Sequence, residues 1–364
     1  MSKSTHNPSA SPIQIDDCCC VCGDHSGLSA TFSSRTGELI PVPEHLVPES
    51  MIEWGDIPSY LEVLVSEDFL VKEDTDITQG DDNNKGDDGD DDQNKKARRM
   101  MERTTITVLP EVGCGIDNLE TTKKVDEYNL QTNQSRLVKW KKDNGNNEQH
   151  EVVVLDRKIG ASSSSNHHQL SVETIFQVSS EVVTEEHSSE EKIYPRRIRI
   201  SFTIDTNTNQ ITTDTITINI ERLISTTSTK GTKWTGPQSN SGGLDARSVR
   251  NTIGRDIVYG DVFGVKRVKS GGDVWTVVMD DDDDDEAVVR NNDDDYSIRL
   301  PQNILVQFYN CNKESSSESW SIELSHFDVI DSKLYKRSVL RSFDSSHDGF
   351  GSISYREEEK EASS

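Results

Sequence analysis

Hydrophobic and polar residues alternate most regularly between Arg196 and Ile224, in the string RIRISFTIDTNTNQITTDTITINIERLI. This alternation predicts a β-hairpin whose strands, Arg197–Asp205 and Thr212–Leu223, flank a polar turn. Each strand has one wholly hydrophobic face, formed by Ile198, Ile200, Phe202 and Ile204 and by Ile216, Ile218 and Ile220. The opposite faces carry arginine, serine, threonine and asparagine, including Arg197, Arg199, Thr203 and Thr217. We expect these polar faces to point outwards, which predicts a half-buried antiparallel sheet.

Other segments rich in β-branched and aromatic residues are candidates for the remaining strands of a fold of roughly ten short strands. They lie within 28–39 and at 103–109, 136–141, 151–156, 170–178, 274–279, 297–309, 319–327, 335–343 and 352–356. One short helix is predicted at Ser241–Gly254, with Asp245 as cap, and Ile57–Leu70 favours a helix with a buried strand as the alternative. Because strands and helices do not alternate regularly, the fold class predicted is an all-β, antiparallel, lipocalin-like barrel or a sandwich.

Composition predicts one ordered domain with polar insertions. Hydrophobic residues make up 32% of the 364 residues, and stretches rich in aspartate, serine and asparagine explain the low value. We expect disordered tails at 1–17 and 357–364 and a single β domain at 18–356. Acidic or serine-rich loop insertions are expected at about 73–99, 160–168 and 280–295.

The formal net charge of −26 narrows the possible partners. Nucleic acids and anionic membranes require basic surfaces, so neither is expected to bind. Adjacent carboxylates in Asp81–Asp92 and Asp280–Glu286 repel one another and favour solvated loops over a calcium site. The N-terminus lacks the hydrophobic core of a signal peptide, and no segment has the roughly 18 hydrophobic residues of a membrane helix. A soluble, cytoplasmic protein is expected.

The string CCCVCGDHSG at residues 18–27 is the most compact group of possible metal ligands. Cys19 and Cys22 have the CxxC spacing with which two thiolates bind one zinc ion, and His25 follows. The alternative is a reduced, flexible turn that leads into the first strand. Zinc bound by Cys19, Cys22 and His25 is therefore one hypothesis for this segment.

Aromatic residues are concentrated in the C-terminal half. They include Trp234, Tyr259, Trp275 and Trp320. On inward strand positions such rings would form core, or would line a cavity able to hold a small flat ligand. Arg247 could bind a carboxylate in such a cavity, although helix-surface arginines are usually solvated. No GxSxG motif accompanies the many serines, so classical hydrolysis is not expected.

Three C-terminal strings together resemble lipocalin-like proteins, nearest the S-type bilin chromophore lyase family and its relatives of unknown function. They are YSIRLPQNILVQFYN, WSIELSHFDV and LYKRSVLRSFDSSHDGFGSISYREE. The resemblance covers about residues 195–356. It implies a bilin or another hydrophobic ligand inside the barrel, with Arg337 or Arg341 available for its carboxylates.

Three functions remain open from the sequence. The first is a non-catalytic barrel that binds a small hydrophobic or carboxylate-bearing ligand. The second is a chromophore lyase or isomerase that uses the same cavity. The third is an interaction protein whose acidic loops engage a basic protein partner.

Overall fold

The computed structural model describes residues 22–55, 57–73, 97–110, 120–130, 135–143, 149–159, 169–184, 191–205, 210–225, 266–271, 274–279, 288–290, 296–310, 319–330, 333–344 and 350–361. Throughout these residues the fold is all-β and antiparallel, with one short α-helix, α1 (Glu49–Trp54). The first group of strands is β1 (Gly23–Ser33), β2 (Leu39–Ile40), β3 (Tyr60–Glu73), β4 (Ala97–Val108), β5 (Glu120–Asn129), β6 (Ser135–Asp143), β7 (Gln149–Ile159), β8 (Gln169–Thr184), β9 (Glu191–Asp205), β10 (Gln210–Ile211) and β11 (Thr215–Ser225). The second group is β12 (Lys266–Gly271), β13 (Val274–Met279), β14 (Val288–Arg290), β15 (Tyr296–Leu300), β16 (Ile304–Asn310), β17 (Ser319–Ile330), β18 (Lys333–Asp344) and β19 (Ser352–Glu361).

The first group forms a large sheet that curls into a nearly closed barrel. Its strand order is β5-β4-β3-β1-β11-β9-β8-β7-β6, and the short strands β2 and β10 add to β1 and β9. Arg103 on β4 bonds to Glu173 on β8, although four strands separate β4 from β8 in the sheet order. Arg157 on β7 likewise pairs with Asp126 on β5. These contacts cross the lumen, so strands β3 to β5 fold over the inner face of β7 to β9.

A second sheet, with the order β14-β15-β16-β17-β18-β19, packs on the outside of this barrel. The layer between the two sheets is the largest hydrophobic core and includes Ile200 and Ile218 from the barrel and Ile322 and Val339 from the second sheet. A smaller core inside the barrel joins Met101 and Tyr128 to Val153, Leu155 and Ile175. Strands β7, β8 and β9 are therefore buried on both faces. Strands β12 and β13 form a separate two-stranded sheet.

The hairpin predicted from alternation is confirmed in its pairing and in its hydrophobic face. Ile200 on β9 lies opposite Ile218 on β11, and both side chains are fully buried. The polar face is different from the prediction, because Arg197 and Arg199 are buried inside the barrel rather than exposed. Carboxylates from neighbouring strands neutralise them there.

Several other elements differ from the prediction. The segment expected to favour a helix, Ile57–Leu70, forms most of β3, where Val63, Leu64 and Val65 are buried on both faces. Two positive-φ residues, Gln302 and Asn303, turn the chain and divide the single strand expected at 297–309 into β15 and β16.

Other boundaries also shift. Helix α1 is not among the predicted elements, and Gly55 ends it with a φ of 76°. Residues 357–361, expected in the C-terminal tail, continue β19, and Val288–Arg290 forms β14 within the expected acidic insertion. The helix predicted at Ser241–Gly254 lies outside the described residues.

Candidate functional site

Two arginines singled out by the resemblance, Arg337 and Arg341, project from β18 into the layer between the two sheets. They share one face of the strand with Val339 and Phe343, since side chains alternate along a strand. Arg337 is 2% exposed and Arg341 is 0% exposed. Charged side chains so deeply buried need partners, so their hydrogen bonds decide what this layer can do.

Arg341 is incompletely paired. Its Nη2 donates to the backbone oxygen of Glu173 at 2.8 Å, and it lies 3.4 Å from Oδ1 of Asp156. Its Nε and Nη1 have no hydrogen-bond partner among the described residues. Burial lowers the pKa of Arg341, although Asp156 favours the charged form. Guanidinium groups remain protonated in proteins, so a fully buried positive charge with free N–H donors faces this layer.

Asp156, which is fully buried on β7, is shared between two arginines. Its Oδ2 accepts a hydrogen bond of 2.9 Å from Nη2 of Arg136 on β6, while its Oδ1 is the atom nearest Arg341. One carboxylate thus serves two guanidinium groups, which leaves this trio with a formal charge of +1. A single monoanion would neutralise it.

The surroundings of Arg341 are largely hydrophobic, with one additional hydroxyl group. Ile322 is its partner in register on β17, and Val154 lies opposite Thr174 on β7 and β8. Thr174 is fully buried on the face of β8 towards the second sheet, and its Oγ1 has no hydrogen-bond partner among the described residues. The arrangement suits a hydrophobic molecule with an anionic oxygen that accepts hydrogen bonds.

Arg337 is better paired than Arg341. It donates to the backbone oxygen of Gln177 at 2.5 Å and lies 2.9 Å from Nδ1 of His326. The His326 ring stacks on Phe176 with 5.7 Å between centroids. Of the Arg337 nitrogen atoms, only Nε lacks a hydrogen-bond partner among the described residues. Arg337 therefore has fewer N–H donors left for a ligand than Arg341 has.

A second group of buried arginines, inside the barrel, is fully neutralised. Arg103, Glu67, Arg197, Glu221, Arg199 and Glu173 form a closed ring of alternating charges, called here the ion ring. The Arg197 contacts with Glu67 and Glu221 are both 2.6 Å, and Arg103 lies 2.7 Å from Glu173. Burial alone would raise the pKa of Glu67, but Arg103 and Arg197 outweigh it and hold that pKa below its usual value. With three arginines and three glutamates, the ion ring has no net charge to offer a ligand.

Of the other residues predicted for a ligand site, Trp320 is the one that the described structure places in the same layer as Arg341, because its register partner Phe343 shares a face of β18 with Arg341. Trp320 is 8% exposed and stacks on Phe343 at 4.3 Å, as a core residue. Trp275 lies in β13, in the separate two-stranded sheet. Trp234, Arg247 and Tyr259 lie outside the described residues.

The predicted zinc ligands are only partly within the described chain. Cys22 is half-buried just before β1, and Cys19 lies outside the described residues. His25 is buried in β1 beside the ion ring, and its Nδ1 has no hydrogen-bond partner there. Burial and then Arg197 lower the pKa of His25 to about 3. Among the described residues no group of three or more His, Cys, Asp or Glu side chains is arranged to hold a metal ion.

Sequence reasoning missed Arg136, Asp156 and Thr174, which come from strands far from Arg341 in the chain. Asp156 precedes Arg341 by 185 residues. One signal for the arginines was present, because Arg337, Val339, Arg341 and Phe343 occupy alternate positions of β18. Arginine that shares a face with core residues is a sign that it points inwards.

Comparison with known proteins finds no matching family model, no matching curated protein and no matching solved structure. In the part of the chain that the structure describes, no helix is long and hydrophobic enough to cross a membrane. The geometry around Arg341 is therefore the basis for functional inference.

Proposed function

We propose that this chain is a non-catalytic, lipocalin-like binding protein for a small hydrophobic ligand that carries a carboxylate. The ligand would lie between the barrel and the second sheet, with its carboxylate on Arg341. The observation that carries this proposal is the fully buried Arg341, whose Nε and Nη1 have no hydrogen-bond partner among the described residues.

The contrast between the two groups of arginines supports this function. Inside the barrel, each guanidinium group of the ion ring meets two carboxylates. Between the sheets, Asp156 is shared by Arg136 and Arg341. Leaving a buried donor unsatisfied costs about 1–3 kcal/mol, and more for a charged group, so a native protein seldom keeps one without a use.

The ligand class follows from the chemistry of the layer. A monocarboxylate supplies the one negative charge that Arg136, Asp156 and Arg341 lack, and Thr174 can donate a further hydrogen bond. The hydrophobic residues around them suit an aliphatic or flat ring body. The resemblance of β15 to β19 to lipocalin-like proteins points to the same type of ligand, although it names no particular molecule.

Arg341→Met is the variant that tests the proposal, with decanoate as the probe and decanol as its uncharged counterpart. We expect wild-type protein to bind decanoate more tightly than decanol, since only decanoate can neutralise Arg341. Calorimetry should show that Arg341→Met weakens decanoate binding by at least about 2 kcal/mol, the usual cost of truncating a buried charge partner, and leaves decanol binding unchanged.

Stability supplies a second readout with a matched buried arginine. Arg341→Met should leave the free energy of unfolding unchanged or raise it by about 1 kcal/mol, because it removes an incompletely paired charge. Arg103→Met should lower it by about 3–5 kcal/mol, because it leaves Glu67 and Glu173 short of a partner. Equal destabilisation by the two substitutions, with decanoate affinity unaltered, would contradict the proposal.

A further inference from the structure

The edge strand β6 of the barrel lies against the edge strand β19 of the second sheet. Trp140 on β6 stacks on Tyr355 on β19, with 5.5 Å between ring centroids. Asp156 on β7 and Arg341 on β18 each lie one strand inside this edge, whereas three strands separate β18 from the outer strand β14. Counted in strands, the β6–β19 edge is therefore the sheet edge nearest to Arg341.

Arg136 closes this edge with several contacts. Its Nη1 donates to the backbone oxygen of Gly351 at 2.7 Å, and its Nη2 donates to that of Phe350 at 2.6 Å. Its guanidinium carbon lies 5.1 Å from the centroid of the Phe350 ring, and Nζ of Lys158 lies 4.7 Å from the same centroid. These contacts of Arg136 with Phe350 and Gly351 are called here the Arg136 latch.

The latched segment has little freedom to adjust. Gly351 has a φ of 62°, and a Cβ added there would come within 1.9 Å of the backbone oxygen of Ser342. Among the described residues β19 pairs with one strand, β18, so side-chain contacts tie it to the barrel. These are the latch at its start and the stack of Trp140 on Tyr355. Releasing Arg136 would therefore let the start of β19 move away from the barrel, with local opening of the first pairs of the β18–β19 ladder, such as Ser352 opposite Ser342.

Asp156 connects the latch to the candidate ligand site. The same carboxylate accepts from Arg136 at 2.9 Å and lies 3.4 Å from Arg341. A ligand carboxylate on Arg341 would displace the longer contact and leave Asp156 to Arg136 alone. Since charge-assisted hydrogen bonds are the stronger kind, the occupied site would hold Arg136 more firmly in place.

We propose that a carboxylate ligand reaches Arg341 through the β6–β19 edge, and that the Arg136 latch gates this route through the Asp156 carboxylate that both arginines share. The inference rests on the proposed function of the Arg341 site. To that function it adds a route for the ligand and a residue, Arg136, that controls how fast the ligand binds and dissociates.

Arg136→Lys is the direct test, because lysine keeps the positive charge beside Asp156 but loses the planar fork that holds two carbonyl oxygens. Arg157→Lys is a closely matched control on the opposite face of β7. Arg157 is 22% exposed and lies 2.7 Å from Asp126, while Arg136 is 23% exposed and lies 2.9 Å from Asp156. In both residues the guanidinium carbon also lies 5.1 Å from the centroid of an aromatic ring.

The measurement is stopped-flow tryptophan fluorescence with decanoate. Arg136→Lys should raise both the association and the dissociation rate constants about tenfold, the effect of losing one charge-assisted hydrogen bond from the closed state, with affinity within about threefold of wild type. Arg157→Lys should change neither rate. Hydrogen exchange without ligand should show faster exchange of the Ser352–Tyr355 amides in Arg136→Lys only.

Phe350→Ala is a second variant that keeps the backbone oxygen atoms and removes the ring under Arg136, and it should shift the rates in the same direction. If decanoate binds but Arg136→Lys and Phe350→Ala leave both rates and amide exchange at wild-type values, the latch is wrong and the ligand site stands. If wild-type protein does not bind decanoate, the ligand site and the gated route are both overturned.

Discussion

The buried side chain of His25 shows how the surroundings of one residue can change its pKa and, through it, the stability of the protein. His25 faces the barrel interior beside the ion ring, where burial and Arg197 lower its pKa from 6.5 to about 3. The unfolded chain binds a proton at His25 below pH 6.5 that the folded protein does not bind until about pH 3. The stability that neutral His25 permits is therefore complete above pH 6.5 and is lost progressively as the pH falls towards 3.

His25→Gln should remove this dependence. As the pH falls from about 6 to 4, wild type should lose stability relative to His25→Gln. The loss in free energy of unfolding should be about 1.4 kcal/mol for each pH unit. Denaturant titrations at several pH values measure this slope. His45, which is exposed, provides the control as His45→Gln. Parallel pH profiles for wild type and His25→Gln would mean that His25 binds its proton at the same pH in the folded protein as in the unfolded chain, and would contradict this prediction.

At the scale of elements, the hairpin of β9 and β11 has two buried faces of opposite chemistry. Ile200 and Ile218 pack towards the second sheet, whereas Arg197, Arg199 and Glu221 belong to the ion ring. Aspartate at Ile200 would place an unpaired charge in the largest hydrophobic core. Ile200→Asp should therefore lower the free energy of unfolding by more than about 4 kcal/mol.

Thr203→Asp provides the matched control on the same strand, because Thr203 is half-buried. It should cost less than about 1 kcal/mol, as substitutions away from buried features usually do. Thermal or urea unfolding of the two variants measures the difference. Similar stability for the two would mean that the faces of β9 are not those of the structure.

The sequence could reveal the hydrophobic half of this hairpin but not the polar half. Alternating isoleucines define a core face by themselves, whereas Arg197 and Arg199 resemble solvated residues until Glu67, Glu173 and Glu221 meet them. Those carboxylates come from β3, β8 and β11, and alternation along one strand contains no information about such partners. For the same reason the sequence pointed to Arg341 through a resemblance but missed Asp156 and Thr174.

Two strands of the barrel, β5 and β3, were harder to predict than the other long strands, for opposite reasons. β5 lies at the barrel edge, and its residues Thr122–Val125 are exposed, so no alternation marked it as a strand. β3 is buried on both faces around Val63–Val65, and its unbroken hydrophobic run was consistent with a helix as well. Strands with one hydrophobic and one polar face, such as β17, were found close to their observed bounds.

At the scale of the whole molecule, the barrel and the second sheet share one wall of strands, and the buried charges on the two sides of this wall differ. The ion ring fills the barrel with balanced charges, so the barrel interior serves as structure. The layer outside the shared wall contains the unbalanced trio of Arg136, Asp156 and Arg341. The proposed ligand site therefore lies between the sheets rather than in the barrel lumen that the lipocalin resemblance implies.

The acidic tracts contribute charge to the molecule but are expected to add little to its stability. Asp81–Asp92 falls between β3 and β4, whose ladder is already paired as far as Glu73 opposite Ala97. Removing Asp81–Asp92 leaves residues 74–80 and 93–96 to connect this ladder, and the entropy of loop closure depends only weakly on length. Deletion should shift the thermal midpoint by less than about 2 °C, below the effect of 1 kcal/mol in a domain of this size.

Shortening Asp280–Glu286, between β13 and β14, should have the same small effect for the same reason. Differential scanning calorimetry of the two deletions at low and high salt measures it. Comparing the two salt concentrations separates the possible causes of a change in thermal midpoint. Relief of carboxylate repulsion would raise the midpoint only at low ionic strength. A loss of several degrees at both salt concentrations would mean that the deleted tract packs against the sheets or binds a metal ion, and that the expectation of a solvated loop is wrong.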